Sequence, residues 1–349
     1  MPSVRKCQFV TRRQGFFTLA GLALAAMTGA ARAHQSQSQL YPLEEKKRAN
    51  ARGRSDSQFS KSKRKDPQIE ALVAKVDGAR LTDTLKALTA FPTRWSQSST
   101  LVQARDLIRQ QFISFGYETS RVRLVEYRLP NGTVGHSVIC APERLDQGFI
   151  LIGAHYDSIS ESSATSAPGA DDDGSGIATV LETARIFANV GLKRGVMFAA
   201  FGGEEQGLFG SQAVANLAAG ERWAIDVMLN LDMVGHVDPQ RPTNIVVEYD
   251  QGNVDPRNDA AAKAFGLQMA QLAADYTSMT VEHTDIWSSD YMPFEAKGFP
   301  CIGLYDGGAD APFYHTTNDT MNAVNLPRLT EVAGLVCAFV ASVAELKST

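Results

Sequence analysis

Two adjacent glutamates, Glu204 and Glu205, stand where the apolar run of residues 198–201 meets a pair of glycines. Adjacent carboxylates repel each other, and each loses hydration at the end of a buried strand. The pair therefore indicates a neighbouring cation. On a straight strand the two side chains would point to opposite faces, but the glycines permit a bend that brings both into one cavity. Beside a metal ion, one glutamate can be a ligand and the other a general base.

A histidine with an aspartate two residues further on, His155 and Asp157, closes an earlier apolar run. Alternation along a strand places both side chains on one face, so the Asp157 carboxylate is expected to hold the far ring nitrogen of His155. That arrangement fixes the tautomer of a histidine that binds a metal. Taken alone, the same pattern also fits a histidine with a purely structural role.

Three consecutive aspartates, residues 171–173, are bracketed by glycines and open a helix. A helix N-terminus attracts acidic side chains, and one aspartate would suffice to cap it, so the three fit a metal site as well as a cap. Two further candidates lie downstream. Asp232 follows a third apolar run, and His315 lies in a loop before the last helix, directly after Tyr314.

Two imidazoles and three carboxylates make a donor set that suits zinc, which takes nitrogen and oxygen ligands. Five protein ligands exceed the three that a single catalytic zinc uses, and they fit two metal ions that share one carboxylate. Two metal ions about 3.5–4 Å apart can bind a bridging water, lower its pKa and polarise a carbonyl group. The candidate ligands are His155, Asp172, Glu205, Asp232 and His315.

Helices alternate with apolar strands along residues 67–349, which are predicted to form a single domain. Strands are predicted at residues 148–158, 194–205, 225–235 and 300–308, after a hairpin around residues 130–132. Continuous apolar strands that alternate with helices indicate a largely parallel sheet covered on both faces. The predicted fold is α/β, with three layers and a mixed, mostly parallel sheet. Ligands bind at the carboxyl ends of strands in such sheets, which is where the candidate residues fall.

The first 33 residues have the pattern of an export signal, with a basic stretch, an apolar stretch of about 17 residues and then small residues. Cleavage is expected after Ala33, and Arg12-Arg13 resembles a twin-arginine signal. The apolar stretch is too short for a convincing membrane span. We therefore expect a periplasmic or secreted protein, with an uncleaved anchor as the alternative. Residues 34–66 are rich in Gln, Ser, Lys and Arg and are predicted to be a disordered linker.

Five short motifs occur in an order that resembles the zinc-dependent exopeptidases of the bacterial leucyl aminopeptidase kind, over residues 67–349. They are GAHYDS (153–158), APGADDDGSG (167–176), GGEEQGLFGS (202–211), NLDMVG (230–235) and YHTTNDT (314–320). The resemblance implies that Asp172 bridges two zinc ions. It also implies that His155 and Asp232 complete one zinc site, and that Glu205 and His315 complete the other.

The resemblance further implies an aminopeptidase that acts through a bridging hydroxide on peptides with a free N-terminus. Glu204 would be the general base, and Tyr314 would stabilise the oxyanion. The peptide bond between Asp172 and Asp173 would be cis. Apolar residues near the motifs predict a pocket for an apolar N-terminal side chain, unless they are simply part of the core: Met233, Ile286, Trp287 and Phe313.

Other functions remain open on the same fold. A zinc carboxypeptidase or a glutaminyl cyclase uses a related site, although the roughly 80 residues between Asp232 and His315 leave no room for a separate lid domain. A non-catalytic metal-binding module is the third alternative. The net charge of −4 argues against nucleic acid as a partner, because phosphate binding needs a basic face. Nothing in the sequence requires an oligomer.

Overall fold

The computed structural model describes residues 65–307 and 311–347. The predicted export signal, residues 1–33, and residues 34–64 of the predicted linker lie outside the described residues. Asp66 caps the first helix by accepting a hydrogen bond from the main-chain nitrogen of Gln68 at 2.8 Å. Its own N–H donates to the hydroxyl of Tyr276. Hydrogen bonds of the fold thus already involve Asp66, one residue before the expected boundary at Pro67.

The described residues form eight α-helices, one short 3₁₀ helix and eight β-strands. The α-helices are α1 Pro67–Val73, α2 Gly78–Thr89, α3 Ser99–Ser114, α4 Gly174–Phe187, α5 Phe209–Glu221, α6 Asp259–Tyr276, α7 Met292–Glu295 and α8 Leu326–Ala344. The strands are β1 Val122–Arg128, β2 Val134–Cys140, β3 Phe149–His155, β4 Gly195–Phe201, β5 Ile225–Leu231, β6 Asn244–Tyr249, β7 Thr280–Thr284 and β8 Cys301–Tyr305.

All eight strands belong to one sheet, in the order β1-β2-β4-β3-β5-β8-β6-β7. The central strands β4, β3, β5 and β8 run parallel to one another. The flanking pairs β1/β2, β2/β4 and β6/β8 are antiparallel, and β7 runs parallel to β6 at the edge. The sheet is therefore mixed, with a parallel centre whose carboxyl ends share one edge.

Helices cover both faces of the sheet, and each face has its own hydrophobic core. Neighbouring strand residues alternate between the two cores, as Met228 and Leu229 do on β5. The larger core lies beneath α1–α4, α6 and α8, and the smaller one beneath α5 and α7. Within the described residues, α8 alone is long and apolar enough to cross a membrane, but 72% of that apolar window is buried. It packs against α1, α4 and α6 as a core helix.

The predicted three-layer α/β fold is confirmed, and so are the hairpin and the four central strands. Two strands, β6 and β7, were not predicted. β7 lies at the sheet edge with no fully buried residue, so it lacks the continuous apolar run that identified the central strands. β6 follows a polar loop and is only six residues long. Both strands extend the sheet without changing the edge at which the candidate residues lie.

Candidate metal centre

The ends of three adjacent parallel strands carry candidate side chains. His155 is the last residue of β3, Asp232 directly follows β5, and Glu204 and Glu205 follow β4 after two glycines. Because β4, β3 and β5 are neighbours that run in the same direction, their carboxyl ends meet at one edge of the sheet. The chain bends at Gly203, whose φ of 71° lies in the left-handed region that favours glycine. The bend predicted from the two glycines is therefore present.

Asp172 lies between the two histidines. Its Oδ1 is 3.1 Å from Nε2 of His155, and its Oδ2 is 3.0 Å from Nε2 of His315. Oδ1 of Asp232 lies 3.7 Å from Nε2 of His155, and Oε2 of Glu205 lies 3.2 Å from Nε2 of His315. Two sets of ligand atoms, each with one imidazole, thus share a single carboxylate. Within each set the ligand atoms lie within 4.8 Å of one another.

The residues present fit zinc ions at this edge. The donors are imidazole nitrogens and carboxylate oxygens, which zinc prefers. Oε1 of Glu205 is buried and has no hydrogen-bond partner, although a buried carboxylate oxygen normally has one. Glu204 is also buried, and an oxygen of its carboxylate lies within 4.8 Å of ligand atoms of His155 and Glu205. Several carboxylates therefore converge where only cations or protons can balance their charge.

The pKa values of Glu204, His155 and His315 are raised, which indicates that the site favours bound protons or cations. Burial raises the pKa of Glu204 well above its usual value, and the charge of Glu205 adds to the rise while His155 opposes it. Burial by itself lowers the pKa of His315, but Glu205 and Asp172 outweigh it and raise that pKa to about 11. Burial likewise opposes the rise in the pKa of His155, which Asp172 and Asp232 bring about. In the absence of metal, the carboxylates that would bind the metal ions instead stabilise the protonated form of both imidazoles.

Asp157 supports the glutamate pair, which differs from the predicted role. Its carboxylate accepts hydrogen bonds from the main-chain nitrogens of Glu204 at 3.2 Å and of Glu205 at 3.3 Å, and from the hydroxyl of Ser96 at 3.2 Å. Nδ1 of His155 instead lies 3.1 Å from the main-chain oxygen of Asp157, and the carboxylate is 3.8 Å away. The residue orients His155 through its backbone and holds the bend at Glu204 and Glu205 through its side chain.

Asp173 joins two strand ends to helix α4. Its carboxylate accepts hydrogen bonds from the main-chain nitrogens of His155 at 3.1 Å, Met233 at 3.2 Å and Gly176 at 2.9 Å. The bond to Gly176 is the helix cap that the sequence suggested. The other two hold the residues at the ends of β3 and β5. The peptide bond between Asp172 and Asp173 is cis, as the resemblance implied.

The main chain of the aspartate run is held from the far side by Asp319. Its carboxylate accepts hydrogen bonds from the main-chain nitrogens of Asp171 at 2.9 Å and Asp172 at 3.0 Å. Asp171 in turn accepts a hydrogen bond from the main-chain nitrogen of Gly235 at 2.9 Å. Asp319 lies within the motif YHTTNDT, so its position in that motif was a signal, but the sequence alone assigned it no role.

Ser289 and Asp290 are further residues of the centre that sequence reasoning missed. The hydroxyl of Ser289 donates to Oδ2 of Asp232 at 2.5 Å and accepts a hydrogen bond from Nδ2 of Asn230 at 2.8 Å. Asp290 is fully buried, and its charge interacts with His155 and Asp232. Neither residue lies in an apolar run or in one of the five motifs, so only the folded chain brings them to the site.

The predicted oxyanion and pocket residues lie at different depths. The ring of Tyr314 stacks on the imidazole of His315, with centroids 3.7 Å apart. Trp287 and Phe313 are half-buried, and Phe313 packs against the ring of His236. The remaining two candidates differ from the expected open pocket wall. Met233 is only 3% exposed, and Ile286 has no exposed surface because it belongs to the smaller hydrophobic core.

Comparisons with known proteins agree with this fold and show the family. The model of peptidase family M28 matches residues 138–340. A probable leucine aminopeptidase of Arthroderma otae is 26% identical over 286 residues, which cover 78% of this chain and 74% of the relative. The structure of LapB from Legionella pneumophila is 26% identical with a TM-score of 0.70, and the match covers 87% of this chain and 81% of that one.

A glutaminyl cyclase of Macrostomum lignano has a TM-score of 0.68 at 16% identity, over 83% of this chain and 97% of that one. That likeness shows the fold alone. The fold, the ligand set and the relatives define a zinc-dependent peptidase of the aminopeptidase kind, as the sequence predicted. The chain belongs to peptidase family M28.

Proposed function

We propose that the protein removes N-terminal residues from peptides with a free amino group, using two zinc ions that share Asp172. The observation that carries the proposal is the placement of Asp172, whose two carboxylate oxygens each face a different imidazole. His155 and Asp232 would complete one zinc site, and Glu205 and His315 the other. A single metal ion would leave one of these imidazole–carboxylate sets unused.

When bound there, zinc supplies a Lewis acid that lowers the pKa of a coordinated water and polarises the carbonyl of the scissile bond. The protein supplies the proton transfers. Glu204 accepts the proton of the attacking water and delivers it to the leaving amine. In the metal-free site burial raises the pKa of Glu204 well above its usual value, and bound cations would lower it toward the range that suits a general base. Asp157 keeps Glu204 in place by holding the main-chain nitrogens of the glutamate pair.

Tyr314 is proposed to donate its hydroxyl to the oxyanion that forms on the scissile carbonyl. Its ring stacks on that of His315, which is one of the proposed zinc ligands. Trp287 and Phe313 retain exposed surface near the strand ends and are proposed to contact the first side chain of the substrate. A preference for Leu, Met or Phe at the N-terminus is therefore expected. We also propose export to the periplasm or beyond, on the pattern of residues 1–33.

The primary test is hydrolysis of Leu-p-nitroanilide by the purified protein, with its N-acetylated form as the matched substrate control. We expect cleavage of the free-amine substrate alone, loss of activity with a chelator and recovery with zinc. Cleavage of the acetylated form would contradict the aminopeptidase. Cyclisation of an N-terminal glutamine peptide, or release of a C-terminal residue, would support the cyclase or carboxypeptidase instead.

The role of Glu204 is tested by Glu204→Gln, with the exposed Glu126 on β1 changed to Gln as the control. The glutamine keeps the size of the side chain but cannot accept the proton, so kcat should fall about 10²–10⁴-fold. The zinc content per chain should stay that of the unmodified protein. Loss of zinc together with activity would show that Glu204 is a ligand rather than the general base.

A further inference from the structure

A second group of acidic side chains surrounds the loop of residues 250–258, which connects β6 to α6. Asp250 opens the loop, Asp259 begins α6, Asp285 follows β7, and Glu295 ends α7. Oδ1 of Asp285 accepts hydrogen bonds from the main-chain nitrogen of residue 251 at 3.0 Å and from Nδ2 of Asn253 at 3.1 Å. The loop is thus tied to the segment after β7 through one oxygen of a carboxylate.

The opposite side of the loop is tied to Glu295 in the same way. Oε1 of Glu295 accepts hydrogen bonds from the main-chain nitrogens of Val254 at 2.7 Å and Asp255 at 2.6 Å. Asp250 uses its Oδ1 for the main-chain nitrogens of Gly252 and Asn253, each at 3.2 Å. One oxygen of each of these three carboxylates therefore accepts hydrogen bonds from main-chain nitrogens of the loop.

The remaining oxygens of the group are buried and have no partner. They are Oδ2 of Asp250, Oδ1 of Asn253, Oδ1 of Asp259 and Oε2 of Glu295. Asp250 is 1% exposed and Glu295 is 0% exposed, so water does not satisfy these oxygens freely. A buried polar atom without a partner costs about 1–3 kcal/mol, and more when it is charged. Four such atoms around one loop indicate a ligand that supplies positive charge.

The charges of the group act on one another. Burial raises the pKa of Asp285 to about 6 and of Glu295 to about 7, and the charge of Asp250 adds to the rise in both. The charge of Asp259 likewise adds to the rise in the pKa of Asp250, which burial begins. The arginine of the loop, Arg257, does not relieve this repulsion because its guanidinium is engaged by the carboxylate of Asp255. No cationic side chain is among the main causes of the pKa shifts of Asp250, Asp285 and Glu295.

We propose that this loop binds a calcium ion directly through Asp250, Asn253 and Asp259, and through a bridging water to Glu295. The donors are all carboxylate and amide oxygens, which suit a hard cation. No three of the carboxylates have ligand atoms within 4.8 Å of one another, in contrast to the zinc ligands. The shell must then include the amide oxygen of Asn253, main-chain oxygens and water. Calcium accepts six to eight oxygens in an irregular shell, whereas magnesium requires a near-ideal octahedron.

The ion would act on the metal centre through the segment that ends at Glu295. Residues 285–295 join Asp285 to Glu295 and carry Ser289, whose hydroxyl contacts Asp232. The same segment carries the buried Asp290. Calcium would hold the Glu295 end of this segment against the loop, and Asp285 holds the other end through its hydrogen bonds to the loop. It is thus a positioning and stabilising ion, and it takes no part in the reaction.

The first experiment measures thermal unfolding of the zinc-loaded protein in buffer freed of calcium, with calcium or magnesium then added. Calcium at about 100 times its Kd should raise Tm by about 5 °C, because a ligand that binds only the folded state stabilises it by an amount that grows with the logarithm of the ligand concentration. Magnesium at the same concentration should give no comparable rise. Terbium should show luminescence excited through Trp287, two residues from Asp285, and calcium should displace it.

The variant Asp250→Asn separates a calcium site from a structural carboxylate. In calcium-free buffer its Tm should equal or exceed that of the unmodified protein, because one repelling charge is gone, and the response to calcium should disappear. Asp146→Asn, which changes an exposed aspartate paired with Arg144, should keep the full response. An unmodified protein with no calcium-dependent rise and no displaceable terbium signal would overturn the proposal, whatever the variant does. An undiminished calcium response in Asp250→Asn would also overturn it.

Discussion

The substitution Asp157→Asn tests how the glutamate pair is held. The asparagine fills the same volume but offers one acceptor oxygen, where the carboxylate accepts from the main-chain nitrogens of both Glu204 and Glu205. The amide NH₂ group must then face one of these buried N–H donors. The main-chain oxygen of residue 157, which lies 3.1 Å from Nδ1 of His155, is unchanged. The variant therefore weakens the support of one zinc set and leaves the support of the other.

The size of the effect follows from the bonds lost. A buried N–H left unpaired costs about 1–3 kcal/mol, and removal of a buried charge offsets a part of this. We expect the free energy of unfolding to fall by about 2 kcal/mol, or Tm by about 4 °C. The pair would no longer be held at its bend, so zinc affinity of the Glu205 and His315 set should fall about 10–100-fold. The value of kcat/KM should fall by a similar factor.

The assay is zinc retention during dialysis against a graded chelator, together with hydrolysis of Leu-p-nitroanilide. Ser96→Ala is the matched control, because it removes another hydrogen bond to the same carboxylate without touching the glutamates. In a His315→Ala background, which keeps only the His155 set, Asp157→Asn should change zinc affinity by less than about threefold. A full 10–100-fold loss in that background would refute the reasoning, since it would mean that the Asp157 carboxylate supports His155.

Three other outcomes are expected. Ser289→Ala should lower zinc affinity about 10-fold, because Asp232 loses its hydrogen-bond donor. Ser289→Thr keeps the hydroxyl and should keep the zinc affinity. If chelator competition showed the same loss of zinc affinity in both variants, the role of the hydroxyl would be contradicted. Tyr314→Phe preserves the ring that stacks on His315, so the variant should retain zinc. It removes the hydroxyl proposed to stabilise the oxyanion, so kcat should fall about 100-fold. An unchanged kcat in steady-state kinetics would limit Tyr314 to a packing role. Zinc binding to the metal-free protein at neutral pH should release about two protons or more, because the raised pKa values of His155 and His315 keep both imidazoles protonated, so affinity rises with pH. Calorimetry in two buffers of different ionisation enthalpy measures this release, and enthalpies independent of the buffer would contradict it.

Much of this protein was predictable because its informative residues are local in sequence. Each central strand is a continuous apolar run, and a polar residue at its end marks the carboxyl edge of a parallel sheet. The bend at Gly202-Gly203 and the cap at Asp173 are likewise local, since each depends on one or two residues and their immediate neighbours. The order of the five motifs then identified the family. The sequence by itself thus determined the fold class, the candidate ligands and the class of reaction.

Only the tertiary structure decided which atoms meet, because those contacts join residues far apart in the chain. The carboxylate of Asp157 lies under the glutamate pair and not against the ring of His155, since the bend after β4 turns two main-chain N–H groups toward it. Ser289 donates a hydrogen bond to Asp232, which lies 57 positions away in the sequence. Ile286 is buried in the smaller core, so it does not line the expected pocket. The acidic loop at residues 250–258 gave no signal, because its carboxylates converge from separate elements. Periodicity and motifs describe neighbours along the chain, whereas packing decides neighbours in space.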